Sequence, residues 1–314
     1  MCSREMGRTQ LKKRALRASI LKNTTQLHAM ASYDQLAGQR RPEASKGHRE
    51  RANAAKRYLL EHAASLAVAT QTSTTFRVRE LACGQGGDLS KWSVLFTHPD
   101  SSARLHPSDP ALFVEWHGND VSSASVEEAK RRLDSYRRQS GSRLLESSHA
   151  EVGDMNEALV AQDSAYDALS CQFAFHYAVP HMALWWRNAR QLVRVGGVVA
   201  VTFMDGATAK TTGMTRWERE GASLEWRDEA RTKYVFRMEG SVRDEEEWVV
   251  SVREVAREAL ANGFDVVASH SLPEWIALHE SLFGRDALAE EDGFAEETET
   301  LLAHCRGMVF VRQM

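Results

Sequence analysis

Glu80-Leu-Ala-Cys-Gly-Gln-Gly-Gly-Asp-Leu-Ser-Lys-Trp92 is the stretch whose reading decides the fold. Just before it, Phe76–Ala82 (FRVRELA) reads as a short strand, and Asp88–Phe96 reads as the opening of a helix. A glycine turn between strand and helix lets backbone approach a ligand closely, because no Cβ stands in the way. The helix that follows offers free N–H groups. Gly84 and Gly86 are the positions such a contact would use. The same turn is equally read as a tight connection, so its neighbours must decide. Arg77 and Arg79 are unusual in a central parallel strand, which expects a near-continuous apolar run.

Upstream, Ala52, Ala55, Leu59, Ala63 and Leu66 recur at three and four, which predicts a helix from His48 to about Val68. Downstream, residues 98–110 (HPDSSARLHPSDP) read as a turn-rich insertion, and Leu112–Trp116 as the next strand, ending at Gly118-Asn119-Asp120. Val121–Arg138 reads as a helix capped by Ser122 or Ser123. Tyr166–Phe173 is a strand, Met182–Val193 a helix, and Gly196-Gly197 a turn into the apolar strand Val198–Phe203. Glu246–Ala261 reads as one amphipathic helix through Val249, Val252, Ala256 and Leu260, stopped by Asn262-Gly263. Phe264–Ser269 and Met308–Arg312 are further strands. This alternation predicts an α/β fold, a doubly wound and mostly parallel sheet. Residues 204–245 and 270–300 read as loops appended to it. Residues 1–30 read as a basic arm preceding one domain over 31–314.

Of the 314 residues, 43% are hydrophobic and 26% charged, enough apolar material for a core and against wholesale disorder. No run approaches the ~18 apolar residues of a membrane span. The four cysteines, Cys2, Cys83, Cys171 and Cys305, form no CxxC pair, so a zinc ribbon, a thioredoxin-like motif and a disulfide framework lack support. The 12 histidines are scattered without ligand spacing, and no metal is expected. The net charge of −3 hides an asymmetry: residues 1–60 hold 14 Lys+Arg against 4 Asp+Glu. A basic arm on an acidic body points to a polyanionic partner, or else to a solvated tail. Lys12-Lys13-Arg14 with Arg17 also reads as a nuclear address, and the Arg-rich start as a mitochondrial transit segment. Residues 284–300 are acidic.

The glycine turn excludes two ligands. No Gly-Lys-Ser or Gly-Lys-Thr follows, so it is not a P-loop. Leu89 stands where the dinucleotide fingerprint needs its third glycine, and Asp88 would repel a pyrophosphate. The combination fits a nucleoside without phosphates, S-adenosylmethionine, with S-adenosylhomocysteine as product. Asp120, after the second strand, is placed to accept ribose hydroxyls, and Asp154, in VGDM, to receive an adenine amino group. Either aspartate alone is more often a cap or a surface residue; in this order after consecutive strands they favour a cofactor cleft.

The stretch Glu80–Trp92 resembles the DLGCGKGGDLxKW pattern of the eukaryotic-type mRNA cap guanine-N7 methyltransferases. Ser170-Cys-Gln-Phe-Ala-Phe-His-Tyr177 is similar to that family's SCQFxxHY, a far more specific signal. Tyr33-Asp34, Asn53-Ala-Ala-Lys56, Met238-Glu-Gly240 and Glu247-Trp248 resemble its YN, NxxK, LEG and E-F motifs. The resemblance implies a Rossmann-like class I methyltransferase acting on capped RNA, in the nucleus, with RNA polymerase II or other capping enzymes as partners and neither membrane nor metal. It implies Lys56 at the methionine carboxylate of the cofactor, the Ala82 backbone beside it, and Gln172 and Tyr177 at the methionine end. It implies Lys91 and Arg132 at the cap phosphates, and His176, Tyr177 and Glu247 at the guanine. Glu80 stands for the family's Asp, Ala82 for a Gly, Gln85 for a phosphate-facing Lys, and Gly307 for a late aromatic. Losing a cation and a ring should weaken cap affinity.

Guanine N7 has a free lone pair, so the resemblance implies alignment rather than acid–base or covalent catalysis. His176 also has a plainly structural reading, and Cys171 reads as packing. The rival readings are a class I methyltransferase on another nucleic acid or a small molecule, and a non-catalytic cap- or RNA-binding protein driven by the basic arm.

Overall fold

The computed structural model describes residues 46–96, 112–139, 142–157, 166–207, 216–219, 222–230, 232–238, 242–283 and 302–313. The basic segment 1–30, the insertion at 98–110 and the acidic stretch 284–300 lie outside the described residues.

The central sheet has seven strands in the order β10-β11-β5-β4-β1-β2-β3. These are β1 Thr75–Leu81, β2 Phe113–Asp120, β3 His149–Val152, β4 Tyr166–Gln172, β5 Val193–Met204, β10 Phe264–Ser271 and β11 Cys305–Arg312. The block from β5 through β3 is parallel, whereas β11 and β10 are antiparallel. The order reverses between β1 and β4, the crevice where open α/β sheets bind ligands.

Alternation along β5 shows how the sheet makes two cores. Val198 and Ala200 face the cluster with helix α1 (Lys46–Val68), the short α2 (Leu89–Ser93), α3 (Ser123–Arg137) and α6 (Leu272–Phe283). Val199, Val201 and Phe203 face the cluster with α4 (Met182–Leu192) and α5 (Val252–Ala261). A strand covered on both sides must be apolar on both, which explains the VVAVTF run. No described helix is long and apolar enough to cross a membrane.

Several elements depart from the sequence reading. β5 begins at Val193 and runs through Gly196-Gly197, where the pairing with β4 shifts register; the glycines sit in an irregular strand start rather than a turn. Residues 216–219, 222–226, 233–238 and 242–248 are not loop. They form a four-stranded antiparallel sheet, β6 Arg216–Arg219, β7 Ala222–Trp226, β8 Lys233–Met238 and β9 Val242–Trp248. Glu246–Trp248 therefore belongs to a strand, and α5 starts only at Val252, capped by Ser251, whose hydroxyl accepts from the Glu254 N–H. Val255 and Ala259 are buried and Val252 and Ala256 pack beside them against the core, while Leu260, read as part of the apolar face, is 66% exposed. Within 270–300, residues 272–283 are helix.

Arg77 and Arg79 also find their reason. Arg77 Nε lies 2.6 Å from Glu115 on β2, and Arg79 reaches Glu151 on β3 at 2.6 Å. The N-terminal half of β1 thus carries a charged ladder on one face and Phe76 and Val78 on the other.

Candidate active site

β1 ends in a turn whose backbone is unusual. Ala82, Gly84 and Gly86 have φ of 51°, 52° and 68°, a region that L side chains rarely adopt. Gly86 has no alternative: a Cβ there would stand 2.6 Å from Leu89 Cδ1 and 3.3 Å from the Ala129 backbone. At Gly84 a Cβ would meet nothing within 4 Å, so the turn has an open side. Asp120, at the end of β2, ties this turn down: Oδ2 accepts from Gly84 N at 2.8 Å and Oδ1 from Ser122 N at 2.9 Å. Asp154 follows β3, and its Oδ1 accepts from Asn156 N at 2.9 Å.

Behind the turn lies a buried charge cluster. Asp88 Oδ1 meets Lys56 Nζ from α1 at 2.8 Å and Lys91 Nζ from α2 at 2.6 Å. Burial opposes ionisation of Asp88, but the two ammonium groups outweigh it and hold its carboxyl well below the usual range. Lys91, read from the sequence as a phosphate contact, is turned inward: Asn53 Oδ1 and the Gly87 carbonyl take its other protons at 3.2 and 3.4 Å. Glu80 closes the cluster. One of its oxygens accepts from the indole N–H groups of Trp92 (3.0 Å) and Trp116 (2.8 Å). Burial and the Asp88 charge push its carboxyl up to about 7 against these hydrogen bonds. Arg132 on α3 is partly committed to its own helix, with Nε 2.9 Å from Glu128, and its guanidinium also donates to Gln85 at 3.2 Å.

The second half of the site begins where β4 ends. Phe173 has φ 55°, and the chain turns into a 3-10 segment, Phe175–His181. His176 is buried there against Tyr177, with ring centroids 4.1 Å apart. Its Nδ1 lies 3.5 Å from Oε2 of Glu247, delivered by β9 of the appended sheet. Burial raises the Glu247 carboxyl to about 8, against the hydrogen bond donated by Tyr234, and lowers His176 to about 3. At neutral pH the free pair is therefore mostly an uncharged contact rather than an ion pair. Tyr234 was not among the sequence candidates. The signal for it is the alternating Tyr234–Phe236 pattern, legible only once residues 233–238 are read as a strand.

Among the buried atoms without a hydrogen-bond partner are Oε1 of Gln172 and Nε2 of His176. The Gln172 amide otherwise donates to Ser170 and to the Ala200 carbonyl, each at 3.0 Å. Together with the open side of Gly84, these unpartnered atoms fit a polar nucleoside ligand in the crevice. Gly307 is different. A Cβ there would stand 2.2 Å from Leu59 and 2.6 Å from the Trp275 indole nitrogen, so no aromatic fits without moving α1 or α6. Among the described residues, no group of three or more His, Cys, Asp or Glu side chains is placed to hold a metal ion.

A parallel sheet reversing at β1/β4, a glycine turn held by the carboxylate after β2, and antiparallel strands added beyond β5 define the class I methyltransferase fold. The solved structures agree. A S-adenosylmethionine-dependent methyltransferase from Clostridium acetobutylicum superposes with a TM-score of 0.52 at 8% identity, covering 82% of this chain and 92% of that one. The CcbJ methyltransferase from Streptomyces caelestis gives 0.50 at 15% identity, covering 81% and 90%. The particular family follows from sequence: residues 30–276 match the mRNA (guanine-N(7))-methyltransferase domain, and the chain belongs to that family. Among curated relatives, mRNA cap guanine-N(7) methyltransferase 1 of Arabidopsis thaliana is 31% identical over 137 residues, 41% of this chain and 33% of that protein. The mRNA cap guanine-N(7) methyltransferase of Schizosaccharomyces pombe is 26% identical over 208 residues, 60% and 52%. The chain thus spans about a third to a half of the curated relatives it matches.

Proposed function

We propose that this chain transfers a methyl group from S-adenosylmethionine to N7 of the guanosine cap of 5′-triphosphate-linked RNA. The observation that carries the reading is the meeting of the Ser170–Tyr177 octet with Glu247, a buried carboxyl brought in by a separate sheet. Only guanine among the neutral bases offers two adjacent donors, N1–H and the 2-amino group, to such a carboxyl.

S-adenosylmethionine supplies an electrophilic methyl on a sulfonium. Lys56 would hold its carboxylate, Asp120 its ribose and Asp154 its adenine amine, with Gly84, Gly86, the Ala82 backbone, Asp88, Gln172 and Tyr177 completing the cleft. On the guanine side Glu247 would take both donors and His176 would fix the base plane. N7 carries its own lone pair, so the chain has no proton to remove. Alignment of this kind is worth roughly 7–11 kcal/mol of barrier. A carboxylate facing the purine also favours the cationic product-like ring over the neutral ground state. Arg132 would face the cap phosphates, and the basic N-terminal segment would bind the RNA beyond them. A nuclear site of action and association with RNA polymerase II or other capping enzymes belong to the same proposal.

The deciding experiment supplies GpppRNA and methyl-labelled cofactor, then maps the label by nuclease digestion. Label in N7-methylguanosine is expected. Label elsewhere would favour another methyltransferase substrate, and cap binding without label a non-catalytic binder.

A further inference from the structure

Tyr234 takes no part in the reaction as proposed, yet its hydroxyl is bonded to the carboxyl of Glu247. It lies 1% exposed on β8, directly opposite Glu247 in the β8–β9 register. Its hydroxyl donates to Oε2 of Glu247. His176 Nδ1 faces the same oxygen at 3.5 Å. Among the described residues no hydrogen bond reaches Oε1. The phenol itself has little freedom, because Met204 and Leu224 share its apolar cluster and Trp226 meets its ring edge-on at 6.1 Å.

The titratable groups facing this carboxyl are Tyr234 from β8, Glu245 along its own strand, His176 from the 3-10 segment and Cys305 from β11. None is a cation at neutral pH, since burial keeps His176 neutral. A carboxyl with no cation beside it takes its direction from its hydrogen-bond donors.

We propose that Tyr234 is a positioning residue for base selectivity: its hydroxyl anchors one oxygen of Glu247 so that the other is turned to the N1–H and 2-amino edge of guanine. The inference rests on the cap reading above. It predicts more than a loss of activity on Tyr234→Phe. The anchored carboxyl tells guanine from hypoxanthine, which keeps N1–H but lacks the 2-amino group. Released, it loses that discrimination.

The test compares kcat/KM for GpppA and IpppA, in wild type and Y234F, across pH 6–9. Wild type should prefer GpppA by about tenfold, the value of one hydrogen bond to a charged group. Y234F should prefer it by about twofold or less, with the change mainly in KM. The acidic limb of its GpppA profile should move to higher pH, because the lost donor favoured the ionised carboxyl. A packing role would lower both substrates alike and leave the ratio and the limb in place, and that result overturns the proposal. S-adenosylhomocysteine affinity, unchanged in Y234F, verifies the fold. Should wild type fail to methylate GpppA, the cap reading falls and Tyr234's role with it. Should wild type methylate selectively and Y234F match it, only the role of Tyr234 falls.

Discussion

Asp88→Asn isolates the charge cluster behind the glycine turn. In the native protein one carboxylate oxygen serves two buried ammonium groups, Lys56 at 2.8 Å and Lys91 at 2.6 Å. Asparagine keeps the shape and removes the charge. Breaking a buried pair from one side costs about 3–5 kcal/mol, because the remaining charge stays uncompensated. Part of that returns through Glu80, whose carboxyl sits at about 7 partly because Asp88 repels it. Without Asp88 it ionises more readily and supplies a replacement charge to Lys56. A net loss of about 3 kcal/mol is expected, or roughly 4–5 °C in Tm at this chain length.

The pH dependence has a definite sign. The carboxyl of Asp88 is held below its ordinary value of 3.8, so its stabilisation is fully present above that pH and fades as pH falls below it. Wild type and variant should therefore converge in acid, and between about pH 5 and 7 the gap should narrow, because Glu80 ionises more readily in the variant. Lys56→Met in the Asp88→Asn background removes one orphaned charge and should recover at least about 1 kcal/mol relative to additivity. Calorimetric or circular-dichroism melts of the four proteins complete the cycle. Strict additivity, or a Tm loss under about 2 °C, would refute the picture of a shared carboxylate.

Glu247→Gln should act oppositely on stability. Its carboxyl lies near 8 against a usual 4.5, so the folded state holds that proton more tightly and native stability drops as pH climbs from about 4.5 to 8. The variant should match wild type near pH 4 and exceed it by up to about 5 kcal/mol at pH 8 in denaturant titrations, while cap turnover is lost. Wild-type turnover in this variant would sink the guanine assignment. Asp120→Ala removes the acceptor of the Gly84 N–H (2.8 Å) and should weaken S-adenosylhomocysteine binding by about 10–100-fold in calorimetry. Full methylation by this variant would refute the ribose role. Gly307→Ala forces a Cβ to 2.2 Å from Leu59 and should cost about 1–3 kcal/mol in a thermal melt. Raising salt from 50 to 200 mM should weaken binding of a long capped RNA much more than of GpppA, and deletion of residues 1–30 should erase the difference. Equal salt slopes before deletion would remove the basic segment from RNA binding.

What the sequence made legible depended on how local its causes are. The glycine turn, the strands on either side of the switch point and α4 follow from short-range pattern, and so did the order of Asp120 and Asp154. β9 was hidden because Asp-Glu-Glu-Glu in front of Trp248 carries no strand alternation; its conformation is set by pairing with β8, thirteen residues away between Tyr234 and Glu247. α5 was seen, and Val252 and Ala256 pack against the same cluster as the fully buried Val255 and Ala259; only Leu260, which fits the helical period equally well, points outward. The orientation of Lys91 toward Asp88 was also hidden. Spacing places a lysine on a helix but does not say whether it turns toward solvent or toward a buried aspartate.

These details bear on where selectivity resides. Lys91 spends its charge on Asp88, Arg132 shares its own with Glu128 and Gln85, and Gly307 has no ring to offer. At these three positions, then, the cations are already paired and no ring is added, although cations and rings are what hold a nucleotide regardless of its base. The pocket's remaining specific element is the Glu247 carboxyl, anchored by Tyr234 and uncharged until it meets a partner. A carboxyl that costs energy to ionise discriminates more sharply than one already charged: only a base supplying two aligned donors repays the desolvated charge, and any other leaves it protonated. On the proposed reading, weak grip on the phosphates and strict demand on the base edge are two sides of one arrangement. On the same reading, affinity for RNA would be drawn from outside this pocket, and the basic residues at the N-terminal end are one source for it.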